Sequence, residues 1–169
     1  MIKYIIKLLR PNQWIKNLFI FGPIIFSNKF LNIDILKNNI LTFIAFCFIS
    51  STVYIMNDIV DVENDRKHPN KCKRPIASGK VSIPVAILIG IILCITSLAI
   101  AFSLKFSILF IIIVYLINNI FYSFKIKNLV IIDVFSIALG FIFRVLAGSF
   151  ATGVLASDWI ILCTLFLSL

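Results

Sequence analysis

From Ile83 to Leu104 the chain runs for twenty-two residues without a charged side chain. As an α-helix rising 1.5 Å per residue, this stretch is about 33 Å long, enough to cross a hydrocarbon core of roughly 30 Å. Similar apolar runs fall at 14–30, 40–56, 106–124 and 130–152, and a shorter one begins at Trp159. With 61% hydrophobic and only 14% charged residues, and a mean hydropathy of +1.09, no soluble core of 169 residues accounts for this much Ile and Phe. The expected fold class is all-α: a polytopic transmembrane helical bundle with about five full spans and the start of a sixth, forming one integral membrane domain over 1–169. The last run is too short to cross a bilayer, so the chain is expected to continue past Leu169.

The polar residues are concentrated between the apolar runs. The N-terminal MIKYIIKLLR sets Lys3, Lys7 and Arg10 at i, i+4, i+7 against Ile2, Ile5, Ile6 and Leu9, the pattern of a short amphipathic helix lying on a membrane surface. With the N-terminus inside, the cytoplasmic segments hold Lys3, Lys7, Arg10, Lys16, six bases from Arg66 to Lys80, Lys125 and Lys127. The opposite side holds only Lys29, Lys37 and Lys105. The positive-inside rule then predicts a multi-pass inner-membrane protein with its N-terminus and the loop before Ser82 in the cytoplasm. The net charge of +9 is read the same way: anionic lipid and phosphorylated substrates, not nucleic acid, are the expected partners. Cys47, Cys72, Cys94 and Cys163 show no metal-ligand spacing and read as free thiols.

Four of the seven acidic residues lie in 57–79, NDIVDVENDRKHPNKCKRPIASG. Asp58, Asp61 and Asp65 are spaced i, i+3, i+7 and share one helical face, from which Glu63 points away. Stacked like charges repel unless a cation sits among them, and oxygen-only ligands suit Mg²⁺. The alternative is a solvated acidic helix end. Against that alternative, Arg66, Lys67, Lys71, Lys73, Arg74 and Lys80 follow directly, and metal-holding acid beside clustered base suits a diphosphate. His68 reads as a loop hydrogen-bond partner, Ser82 as the N-cap of the next helix and Pro84 as part of its first turn. Further along, Asn118, Tyr122 and Lys125 share a face, and Asp133, Gly140 and Arg144 lie nearly in line within a span. Intramembrane charges of this kind are candidate functional groups.

The pattern N-D-x-x-D-x-x-x-D-R at 57–66, continued by R-P-x-x-S-G-x-x-S at 74–82, resembles the first aspartate-rich motif of the UbiA superfamily of intramembrane prenyltransferases. Tyr122-Ser123-x-Lys125 is similar to that family's tyrosine-lysine element. The opening Arg10-Pro11-Asn12-Gln13-Trp14-Ile15-Lys16-Asn17, the His68-Pro69-x-Lys71-x-x-Arg74-Pro75 run and G-F-x-x-R-x-x-A-G at 140–148 look closest to the decaprenyl-phosphate phosphoribosyltransferase branch. The resemblance implies a helical bundle around a cavity open to lipid, with Mg²⁺ bridging Asp58, Asp61 and Asp65 to a diphosphate. The chemistry assigns phosphate contacts to Lys71, Arg74 and Lys125, a hydrogen bond to the donor to Tyr122, orientation of the first turn to Asn57, substrate contacts to Arg66 and Arg144, and lipid-phosphate contacts to Arg10, Gln13, Lys16 and Asn17. The donor that the resemblance implies is soluble phosphoribosyl diphosphate and the acceptor a polyprenyl phosphate. A prenyl diphosphate donor with an aromatic or lipid acceptor is the first alternative, and a non-catalytic membrane subunit or transporter the second. The family also carries a second aspartate-rich motif several spans later, which nothing after Asp133 supplies.

Overall fold

The computed structural model describes residues 2–27, 31–124 and 130–168, and all the regular structure among them is helical. In chain order these are α1 (Ile2–Leu9), a 3₁₀ segment (Pro11–Phe21), α2 (Gly22–Phe26), α3 (Ile33–Val60), α4 (Val62–Lys67), a 3₁₀ turn (Lys71–Lys73), α5 (Ile83–Leu104), α6 (Phe106–Phe124), α7 (Val130–Thr152) and α8 (Asp158–Ser168). Four stretches, Ile33–Val60, Ile83–Leu104, Phe106–Ser123 and Ile132–Thr152, are long and apolar enough to cross a membrane.

The described part of the run at 14–30 is not one α-helix. It is built from the 11-residue 3₁₀ segment joined to the five residues of α2, the junction falling at Gly22-Pro23. A 3₁₀ helix rises about 2.0 Å per residue, so the two pieces together reach roughly 30 Å despite their short sequence. Three residues per turn also sort this segment into rows. Trp14, Asn17 and Ile20 form one row: Trp14 donates to Ser51 Oγ (3.0 Å), Asn17 is fully buried and Ile20 enters the core beside Phe46 and Ala147. Gln13, Lys16 and Phe19 form the next row, and Phe19 meets the Phe141 ring at 5.1 Å.

α3 is longer than its apolar run of 40–56. Asn32 caps it, its Oδ1 accepting from the backbone N–H groups of Asp34 and Ile35 (3.1 and 3.2 Å), so the helix starts outside the hydrophobic stretch. Ser82 does occupy the N-cap of α5, with Pro in the first turn, but its side chain makes no capping hydrogen bond.

α5 packs along α3 through small residues. Ala86, Gly90, Ser97 and Ala101 are the buried positions of α5, Ser97 Oγ donates to the Ala45 carbonyl (2.8 Å) and Thr52 Oγ1 to the Gly90 carbonyl (3.3 Å). Small side chains let the backbones approach closely where lipid supplies no hydrophobic drive between helices. Leu88, Ile92, Ile95 and Phe102 on the other faces are more than half exposed, the inverse of a soluble helix and the expectation for one facing lipid. α7 meets the 3₁₀ segment at backbone contact: a Cβ on Gly148 would collide with the Ile20 carbonyl. All four cysteines are free thiols.

Candidate active site

The aspartate-rich stretch sits where α3 ends. The helix breaks at Asp61 and restarts as α4, and the side chains of Asp58 and Asp65 are turned inward until each residue is only 2% exposed. One guanidinium bridges them. Arg74 Nη1 lies 2.6 Å from Asp65 Oδ2 and 3.1 Å from Asp58 Oδ1, and Arg10 Nη2 reaches the same Asp58 oxygen at 2.5 Å. The two arginine side chains keep about a quarter of their surface in solvent (26% and 28%), so the cluster is open on its cationic side.

Local structure explains how residues so far apart in sequence converge. The loop bearing Arg74 is pinned by Ile76 and Val81, which pack into a small core with Leu8, Ile55 and Ala86, and by the Val81 N–H donating to the Pro75 carbonyl (3.0 Å). Arg10 stands between α1 and the 3₁₀ segment at φ 51°, ψ 56°, a left-handed conformation costing an L-residue about 1–2 kcal/mol. Its ion pair with Asp58 and its stacking over the Tyr54 ring, 5.2 Å to the centroid, offset that cost. α1 is tied to the same loop by Lys7 Nζ donating to the Lys73 carbonyl (3.2 Å) and Lys80 Nζ to the Tyr4 hydroxyl (2.8 Å). The hydrogen bond from Lys80, with its charge, holds the Tyr4 phenol below its ordinary pKa.

Two hollows flank the end of α3. The outer one, a cleft of about 680 Å³ between α1 and the loop, is lined by Lys3, Lys7, Arg10, Gln13, Asp58 and Arg74. The inner one, a cavity of about 210 Å³ among α3, α6, α7 and the 3₁₀ segment, is lined by Lys16, Tyr54, Asn57, Tyr115, Tyr122 and Arg144, among others. Asn57 and Asp58 are adjacent residues serving different hollows. Asn57 also accepts a hydrogen bond from Ser123 at the end of α6. Asp133 of α7 and Asp61 both lie near enough to Tyr122 to act on it electrostatically, and Asp133 Oδ1 is buried without a hydrogen-bond partner. Arg144, 5% exposed, donates to Asn17 Oδ1 (2.8 Å), the Gly140 carbonyl (2.6 Å) and the Tyr115 hydroxyl (3.1 Å).

The residues singled out from sequence therefore separate into groups. Arg10, Gln13, Asp58, Asp65 and Arg74 gather at or beside the outer cleft, while Lys16, Asn57, Tyr122 and Arg144 line the inner cavity. Asn17 lies buried between helices, holding Arg144 and Ser50. Arg66 pairs with Glu63 (2.9 Å) on the surface, confirming that Glu63 points away, and Lys71 is exposed in the loop. His68 is the loop partner expected, its Nδ1 accepting from the Asn70 and Lys71 N–H groups. Lys125 lies outside the described residues. Tyr115 and Asn119 were not singled out, although Tyr115, Asn119 and Tyr122 stand at i, i+4, i+7 on one face of α6 and all line the inner cavity. Asn118 instead turns to Ser136 of α7, donating to its carbonyl at 3.2 Å.

Among the described residues no three His, Cys, Asp or Glu side chains come together as a ready metal cage. Asp58 and Asp65 nevertheless reach one shared cation, the Arg74 guanidinium, and Asp58 Oδ2 is buried without a hydrogen-bond partner. Hard carboxylate oxygens with an unsatisfied lone-pair site fit Mg²⁺, which completes its shell with water and phosphate oxygens.

Acid and base gathered at one end of a helical span, beside a polar interior cavity, define a polar site built into a membrane-type helical bundle. The chain belongs to the UbiA prenyltransferase family, whose sequence profile matches residues 20–169. It is 31% identical over 169 residues to decaprenyl-phosphate phosphoribosyltransferase of Mycobacterium tuberculosis, covering 98% of this chain and 56% of that protein. It is 34% identical over 168 residues to the protein of the same name from Corynebacterium glutamicum, covering 97% and 51%. The chain thus spans about half the length of these curated relatives. Its fold matches that of a UbiA homolog from Archaeoglobus fulgidus bound to DMAPP and Mg²⁺, with a TM-score of 0.83 and 25% identity over 98% of this chain and 60% of that one.

Proposed function

We propose that this chain carries the aspartate-rich site of a Mg²⁺-dependent transferase that moves 5-phosphoribose from phosphoribosyl diphosphate to a polyprenyl phosphate, releasing diphosphate. The observation that carries this reading is the Arg10–Asp58–Arg74–Asp65 cluster opening beside a cavity walled by Lys16, Arg144 and tyrosine hydroxyls. Four relatives at 31–34% identity bear the phosphoribosyltransferase name and support the branch.

In this reading Asp58 and Asp65, with Asp61 at the helix break, hold the metal. Bound Mg²⁺ would supply Lewis-acid stabilisation of the departing diphosphate. Arg10 and Arg74, already at the carboxylates, turn their remaining N–H groups to the diphosphate oxygens, placing positive charge where negative charge develops. Asn57 and Tyr122 orient the sugar from the inner cavity. The acceptor phosphate is ionised before it reacts, so no general base is required.

The deciding experiment incubates the full-length protein in membranes with a polyprenyl phosphate and either labelled phosphoribosyl diphosphate or a labelled prenyl diphosphate, such as the DMAPP held by the solved homolog. Label should move only from phosphoribosyl diphosphate. Transfer from the prenyl donor alone would leave the family assignment intact and overturn the branch.

The site is also proposed to face the cytoplasm of a cell whose inner membrane holds the protein. Cys72, partly exposed in the loop between α4 and α5, reports on this. A membrane-impermeant thiol reagent should label Cys72 only after the cytoplasmic side is opened, and labelling in intact cells would reverse the orientation.

A further inference from the structure

The wall of the inner cavity carries two cations and no carboxylate; Asp133 and Asp61 stand behind it, beside Tyr122. Lys16 and Arg144 both line it, neither forms an ion pair among the described residues, and no carboxylate is among the residues of its wall. Arg144 is nearly as buried as a core residue, yet its hydrogen bonds go to neutral acceptors, an amide, a carbonyl and a phenol. Its guanidinium is further packed against the Tyr115 and Phe141 rings at 5.1 and 5.3 Å. Three of its five N–H groups are committed in this way, which leaves two on the terminal nitrogens. A guanidinium withdrawn from water and compensated only by dipoles is costly, and a second ammonium on the same wall adds repulsion. An anion between them relieves both.

The rest of the wall says what kind of anion. Tyr54, Tyr122, Asn57 and Asn119 offer hydroxyl and amide groups, suited to sugar hydroxyls. An isoprenoid tail seated there would strip water from all of these groups and return no hydrogen bond. The arginine–aspartate cluster that suits a diphosphate lies across the end of α3, toward the outer cleft. A pentose carrying a diphosphate at one end and a single phosphate at the other matches two anion sites on either side of Asn57 and Asp58.

We propose that the inner cavity is a second anion site, which takes the terminal phosphate monoester of a phosphorylated sugar donor between Lys16 and Arg144 and so selects that donor over a prenyl diphosphate. The identity of the donor rests on the function proposed above, whereas the anion site stands on the cavity itself.

The test is direct binding of ribose 5-phosphate to the full-length protein in nanodiscs without divalent metal, with inorganic phosphate as comparator. Saturable binding is expected, and Lys16→Gln should weaken it about ten- to a hundredfold, the effect of one charge-assisted contact. Binding of inorganic diphosphate with Mg²⁺ should change less than about threefold in the same variant, because the other cluster is intact. Lys16 is an exposed residue lining the cavity, so its replacement removes no buried packing. Arg144→Lys, which keeps the charge and loses the fork, serves as a second variant and should also weaken ribose 5-phosphate. No saturable binding, or binding indifferent to Lys16→Gln, overturns the site. Phosphoribosyl transfer with Lys16-independent binding would retain the function and remove this cavity from it. Lys16-dependent binding with transfer only from a prenyl donor would do the opposite.

Discussion

Asp58→Asn in the full-length protein is expected to reduce Mg²⁺-dependent transfer by at least about a hundredfold, the scale on which enzymes lose activity when one preorganised electrostatic group is removed. Asp58 receives both Arg10 and Arg74 on Oδ1 and leaves Oδ2 buried and unpartnered, so neutralising it removes a metal ligand and the anchor of two arginines. Asp65→Asn should have a comparable effect through Arg74, and Asp61→Asn is expected to lose activity as the third carboxylate of the motif. Stability should suffer far less. Both arginines keep about a quarter of their side-chain surface in solvent, at 26% and 28%, so once unpaired they rehydrate at a cost of about 1 kcal/mol. Glu63→Gln is the control: its partner is Arg66 on an exposed surface, and such a pair is worth about 0–1 kcal/mol. Activity within about twofold of the parent is expected for it. The measurement is labelled transfer with Mg²⁺ titrated in each variant, alongside the amount of folded protein. Equal losses in all four variants would point to general damage, and unchanged activity in the Asp58 and Asp65 variants would sink the site assignment.

Where the chain has a long, predominantly apolar run, the sequence located the helix. α5, α6 and α7 begin and end at the limits of the runs 83–104, 106–124 and 130–152, because in lipid a backbone must satisfy itself and an apolar run leaves the helix as the available solution. The segment before α3 was not legible in that way. Pro11, Gly22 and Pro23 signal interruptions, but nothing local says that the intervening residues wind as a 3₁₀ helix. That winding is what sends Lys16 to the inner cavity and Asn17 to Arg144.

The candidate site divides along the same line. The i, i+3, i+7 spacing put Asp58, Asp61 and Asp65 on one face of a single helix, but the helix breaks at Asp61 and Asp65 sits on α4, so it is Arg74, nine residues beyond Asp65 in a short loop, that brings Asp58 and Asp65 together. Arg10 lies 48 positions before Asp58, and its role depends on α1 docking through Leu8. No local pattern reveals a contact of that kind. Tyr115 was readable from its spacing to Asn119 and Tyr122, but Tyr in an apolar span carries no charge to draw notice.

Gly148→Ala is expected to destabilise the fold strongly, against the usual sign of such a change in a helix. Replacing a helical glycine with alanine ordinarily contributes about 0.5–1 kcal/mol of stability. At Gly90 that gain should be realised, since an added Cβ would meet only Ile55 Cγ2 at 3.6 Å, an ordinary contact. At Gly148 the added Cβ would run into the Ile20 carbonyl oxygen, with the Ile20 carbonyl carbon at 2.8 Å. Backbone cannot rotate aside as a side chain can, so the 3₁₀ segment must move as a body. Overpacking of this kind costs about 1–3 kcal/mol or more. The displaced segment carries Arg10 at its start and Lys16 and Asn17 within it, so activity should fall together with stability. Thermal unfolding of the two variants in the same detergent is the measurement. Gly90→Ala should match or exceed the parent's midpoint and Gly148→Ala should fall several degrees below it, whereas a Gly148→Ala protein as stable as the parent would show that α7 and the 3₁₀ segment do not pack at backbone contact.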